Sequence, residues 1–201
     1  MGERVSSPRL GSARRGRRDP WLAGAGSFVL CALLGQDSLN ADGPIVPLQN
    51  AFGQHRTADN YYAYPFLFTG LRAVLEPLGV GPYRTGLLLS ALGTSAGVGF
   101  GLQALRVLGL DRRRAWLGAA LVAFCPAVLF FGSTLEFHGP FFGFAGLALL
   151  STARAIERPS AARGAELGLC TALAFLAHLD ECYRLEPVES GAFRAKRVLP
   201  R

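Results

Sequence analysis

Two stretches of this chain, Thr85–Leu105 and Ala115–Leu135, each run 21 residues without a charged side chain. A helix needs about 20 apolar residues to cross the hydrocarbon core of a bilayer. These two segments therefore point to a multi-pass membrane protein. Composition agrees: charged residues make up 17% of the chain, against about 25% in a soluble domain. Shorter uncharged stretches at Trp21–Leu34, Gly139–Ala153 and Leu167–Ala177 extend the pattern. The sequence predicts an all-α fold, a transmembrane helical bundle of about five spans.

The net charge of +7 resembles a nucleic-acid signal, but its distribution argues otherwise. Twenty of the 21 basic residues are arginine, and most flank apolar segments. That is the pattern of topological anchors, not of a basic groove interleaved with stacking aromatics, so no nucleic-acid partner is expected. Cys31, Cys125 and Cys170 lie inside apolar stretches, where a thiol behaves as a small hydrophobe. With Cys182, they form neither a metal knuckle nor a redox pair.

The arginines alternate along the chain. Arg4, Arg9, Arg14, Arg15, Arg17 and Arg18 precede the first apolar stretch, Arg112–Arg114 follow the second, and Arg154, Arg158 and Arg163 follow the fourth. The turn at Glu136–His138 has no Lys or Arg. Cytoplasmic loops carry the excess of basic residues. This gives a plasma-membrane protein with a cytoplasmic N-terminus and an uncleaved signal anchor.

Tyr61–Gly79 is also apolar, but it carries Arg72 and Glu76, and a charge at mid-bilayer costs about 2.5–3.5 kcal/mol. Thr69, Arg72 and Glu76 share one helical face. The segment is therefore expected to be an amphipathic helix on the outer interface, with Arg72 paired to Glu76 four residues on. Gly93, Gly97 and Gly101 repeat at the spacing of close helix packing. Pro126 is expected to kink the third helix.

Three regions follow. Residues 1–20 form a basic cytoplasmic tail, residues 21–178 the membrane region, and residues 179–201 a polar tail with no hydrophobic periodicity. An odd number of spans coincides with arginines on the wrong side of the fifth. The expectation is that residues 179–201 are disordered or frame-shifted and that the membrane region is incomplete.

With the arginine clusters on one side, Asp42, Arg56, Glu136, His138 and His178 emerge on the other, beside the interfacial helix. The arrangement resembles the integral-membrane glycosyltransferases of the GT-C class, which include protein O-mannosyltransferases and aminoarabinose transferases. The resemblance rests on architecture over Trp21–His178 and on Asp42 in Asn40-Ala41-Asp42-Gly43, with Pro126, Glu136 and His138 in support. It implies sugar transfer from a polyprenyl-phosphate donor to an acceptor hydroxyl at the extracytoplasmic face. Asp42 is then the candidate general base. Arg56, Arg72, His138 and His178 are candidates to steady the departing phosphate, and Glu136 to orient a histidine or bind sugar hydroxyls. Many members carry an acidic pair where this chain has Asp42-Gly43, so no cofactor is assigned and a divalent cation is not favoured. Each residue has a plainer reading: Asp42 as a turn residue, Glu136 and His138 as caps, Arg72 as an anchor. Two other functions stay open, a transporter or channel subunit and a fragment without activity of its own.

Overall fold

The structure, a computed structural model, describes residues 18–35, 63–135 and 138–177, and the backbone of residues 183–187 and 193–197. Up to Ala177 the described residues are all-α, with seven α-helices: α1 (Asp19–Leu33), α2 (Ala63–Leu75), α3 (Pro82–Val107), α4 (Arg112–Ala123), α5 (Pro126–Ser133), α6 (His138–Glu157) and α7 (Ala161–Ala177). A 3-10 turn, Glu76–Leu78, continues α2. Beyond the helices, β1 (Tyr183–Pro187) pairs antiparallel with β2 (Phe193–Arg197), Leu185 opposite Ala195.

The expectation of about five spans is corrected by helix length. Among the described residues only α3, with 26 residues, and α6, with 20, are long and apolar enough to cross a bilayer; α4 and α5 make a third only if the bent pair counts as one. At 1.5 Å per residue, α3 reaches about 39 Å and α6 about 30 Å, against a hydrocarbon core of about 30 Å. The 15 residues of α1 reach only about 22 Å. The 17 residues of α7 include Arg163 and Glu166. Absence of charge in the sequence exposed the apolar stretches, but it did not measure how far each remains helical.

The third stretch shows why. Pro126 has no backbone N–H to continue the ladder, and it pushes the preceding residue out of the helical region. Cys125 is accordingly extended, at φ −61° and ψ 128°, and α4 and α5 meet at 62°. The kink expected at Pro126 is a full break.

Packing centres on α3, which lies against α1 on one side and α6 on the other. Helices α3 and α6 run parallel, because Ser90 meets Gly139, Gly93 meets Gly143 and Gly97 meets Gly146. A Cβ on Gly143 would stand 2.8 Å from the Gly93 carbonyl oxygen, and one on Gly146 2.8 Å from that of Gly97. Such contacts let two backbones touch, the mode by which apolar helices associate where lipid removes the usual hydrophobic drive. Gly101, third in the expected repeat, meets nothing within 4 Å. The glycines that answer Gly93 and Gly97 lie on α6. Helix α1 runs antiparallel to α3: a Cβ on Gly99 would come 2.8 Å from the Pro20 carbonyl oxygen, and one on Gly24 3.1 Å from that of Ser95.

Two polar side chains inside this core bond back along the chain to the residue four before. Ser95 Oγ donates to Ala91 O at 2.6 Å and Thr85 Oγ1 to Gly81 O at 3.1 Å, which satisfies hydroxyls that water does not reach. Large apolar groups point the other way. Trp21, Leu33, Phe66, Leu121, Leu169 and Phe175 are exposed, outward apolar surface of the kind that meets lipid or another protein.

Candidate functional site at the arginine-poor end

The bundle has two chemically different ends. At one, α1, α4 and α7 begin while α3 and α6 finish, and the described arginines of the connecting turns collect there. Arg112 grips Asp19 with two parallel bonds, Nε to Oδ2 at 2.7 Å and an NH2 nitrogen to Oδ1 at 2.8 Å. Asp19 is 1% exposed. This fork-to-carboxylate geometry is the strong form of an ion pair. Helix α4 opens with three arginines, against the preference of a helix N-terminus for negative charge. Asp19 supplies one offset and Asp111 another, as the N-cap whose carboxylate accepts from Arg114 N at 3.0 Å.

The hydrogen bonds from Arg112 hold the Asp19 carboxyl below its ordinary range, although burial pushes it upward. The Arg114 backbone N–H does the same for Asp111. Between α6 and α7, Arg154 donates to Glu166 at 2.9 Å, and Arg163 pairs with the other Glu166 oxygen. The two arginines lower that carboxyl, Arg163 most. These cross-helix pairs were not foreseen; their sequence trace is an acid at Asp19 and another at Glu166 beside arginine clusters.

At the other end, α1 and α5 finish and α3 and α6 begin. His138 opens α6, and its ring stacks on Phe131 with centroids 4.3 Å apart. It lines a cavity of about 220 Å³ with Thr94, Ala127, Phe131 and Phe142. Thr94 is 1% exposed, and its hydroxyl has no hydrogen-bond partner among the described residues. Ser133 and Thr134 both donate to Phe130 O, at 3.3 and 2.8 Å, and so close the end of α5.

A second cavity of about 250 Å³ lies on the other side of that helix end. It is lined by Cys31, Val80, Arg84, Leu88, Gly132 and Ser133. Arg84 was missed in the sequence; its only signal is a lone arginine in the first turn of a helix whose next charge, Arg106, lies in the last turn. Arg72 donates to Glu76 at 3.0 Å, the expected pair four residues apart. Helix α2 packs through Tyr64 and Phe68 against Leu89 of α3.

Of the residues chosen from sequence, Arg72 and His138 are thus described, on different elements. Asp42, Arg56, Glu136 and His178 lie outside the described residues. Their attachment points are nevertheless fixed. Glu136 falls between Leu135 and His138, and His178 follows Ala177, the last residue of α7. Asp42 stands seven residues beyond Gly35 in the sequence. Among the described residues no three His, Cys, Asp or Glu side chains are grouped to hold a metal ion. No protein-family model, curated protein sequence or solved structure significantly matches this chain.

Proposed function

We propose that this chain is a bilayer-resident helical protein with its arginine-rich end in the cytosol, and that it transfers a sugar from a polyprenyl-phosphate donor to an acceptor hydroxyl at the opposite face. The observation that supports this reading is the separation of the two ends. Cross-helix ion pairs gather at one, while His138, Arg84 and the attachment points of Asp42, Glu136 and His178 gather at the other. Basic residues favour the cytoplasmic side, which puts the second group outside.

In this reading Asp42 takes the proton of the acceptor hydroxyl, a role that needs a positioned carboxylate. The donor's phosphate leaves with negative charge, and cationic groups such as Arg56, Arg72 and Arg84 stabilise it as that charge develops. His138, at the start of α6, and His178, next in sequence after α7, serve as further donors, and Glu136 binds sugar hydroxyls or orients a histidine.

The test is transfer of labelled sugar from a polyprenyl-phosphate donor in membranes that express the chain, with Asp42→Asn beside it. Transfer that survives unchanged in Asp42→Asn removes Asp42 as the base, and absence of transfer by the parent chain removes the activity. Labelling of single cysteines placed at Arg113 and His138 tests the geometry. Both reacting from the same side of sealed vesicles overturns the proposal.

A further inference from the structure

Between α1, α3 and α6 lies a trough of about 480 Å³ that opens to the outside of the bundle. Small residues make its floor: Gly24 from α1 and Ser95, Ala96 and Gly99 from α3. Phe28 and Leu92 stand at its deep end, and Trp21, Gln103 and Arg154 at the other. Along α3 it runs from Leu92 to Gln103, about 16 Å at the helical rise. One leaflet of a hydrocarbon core is about 15 Å, half of the whole. The trough is therefore as long as one leaflet is deep, apolar along its length save for Ser95, whose hydroxyl is bonded to Ala91 O, and charged only where it reaches the arginine end.

The polar end has its own character. Arg154 is half-buried and gives one bond to Glu166, but a guanidinium carries five N–H donors in a fixed fork. The Gln103 side chain adds two more. The surrounding turns hold Arg106, Arg112, Arg113, Arg114, Arg158 and Arg163, so the local field is positive despite Asp19, Asp111, Glu157 and Glu166. Trp21 is 80% exposed on the rim, at the depth where an indole meets lipid headgroups.

The geometry points to a binding site for an anionic phospholipid, with one acyl chain in the α1–α3–α6 trough and its phosphate at Arg154 and Gln103. Apolar length selects the chain, and the cationic end selects the headgroup. Neutral lipid fills the trough too, but it adds no counter-charge to the excess of arginines over carboxylates at that end. A second copy of this chain is a poorer occupant, because the positive end would then face another positive end. The inference is independent of the sugar-transfer reading and concerns the opposite end of the molecule.

Trp21 reports occupancy directly. Purified full-length protein carrying Trp116→Phe, in neutral detergent, is titrated with phosphatidylglycerol or phosphatidylcholine brominated on the acyl chains, which quench a neighbouring indole. The expected result is saturable quenching by both lipids, with phosphatidylglycerol saturating at about fivefold lower mole fraction, the effect of one added arginine at an anionic surface. Ala96→Phe fills the floor and removes the saturable component; Ala25→Leu does the same from the α1 wall should the first variant fail to fold. Arg154→Gln abolishes the preference for phosphatidylglycerol. Glu166→Gln, which breaks the same ion pair but keeps the cation, retains or strengthens it. Equal titrations by the two lipids overturn the inference, as does quenching that survives both trough-filling variants. Disulfide-linked dimers of Trp21→Cys, formed at the expense of lipid binding, assign the trough to a second copy and overturn it as well.

Discussion

The arginine end and the His138 end differ in how their helices are joined. At the first, side chains from different helices hold one another: Asp19 of α1 takes Arg112 of α4, and Glu166 of α7 takes Arg154 of α6. At the second, the ion pair is local, Arg72 to Glu76 within one turn of chain, and the helix ends are separated by two cavities. The first end is tied by charge across helices, and the second leaves room between its helix ends; the α1–α3–α6 trough reaches the first end from the side of the bundle. A face that binds substrate needs accessible space and groups not already committed to each other, and structural ion pairs serve neither need. In the proposed reading, the arginine end fastens the helices and the other end carries the chemistry.

The largest effect expected from breaking this division is on turnover. Asp42→Asn lowers sugar transfer in membranes by about 100-fold or more, the range lost with a positioned acid–base group, and leaves the helical circular dichroism spectrum unchanged. Asp19→Asn at the other end does the reverse, lowering the thermal midpoint in detergent with little effect on transfer.

Next comes the seam that carries both ends. Gly143→Leu forces a branched side chain against the Gly93 backbone and destabilises by about 1–3 kcal/mol, the usual cost of overpacking. Gly101→Leu, with open space around its α-carbon, is nearly neutral by the same melt.

A pH titration sharpens the contrast at smaller amplitude. Asp19, Asp111 and Glu166 all have carboxyl groups held below their ordinary values, chiefly by bonds from Arg112, Arg114 and Arg163. A lowered folded pKa contributes stability that is complete above the unfolded value and lost as pH falls through the folded one. The thermal midpoint should therefore be flat near neutrality and fall below about pH 4. The double variant Asp19→Asn, Glu166→Gln shows a shallower fall.

The smallest effect belongs to the exposed pair. Glu76→Gln costs about 0.3–0.5 kcal/mol, as surface pairs four residues apart usually do, and 0.5 M salt erases the difference.

Much of the fold was legible because it depends on local pattern. Helix α3 follows from its uncharged 21-residue core, and Pro126 announced a disturbance in the third stretch. The Arg72–Glu76 pair follows from spacing alone. The number of spans was not legible, since a charge-free stretch does not reveal where the backbone stops being helical. The glycine seam was half visible: Gly93 and Gly97 showed that something packs closely there, but not that α6 does, through Gly139, Gly143 and Gly146.

Of the candidate site, His138 was readable as an ionisable residue beside an apolar helix, whereas Arg84 was not. Nothing in the linear order brings Arg84 toward Ser133 and Cys31; the return of the chain through α4 and α5 brings the first, and the packing of α1 on α3 the second. By itself the sequence determined that this is a helical protein with segments able to cross a bilayer, because hydropathy and charge act residue by residue. Which helices touch, which arginines find carboxylates and where space remains were decided by tertiary structure, because those are distances between residues far apart in the chain.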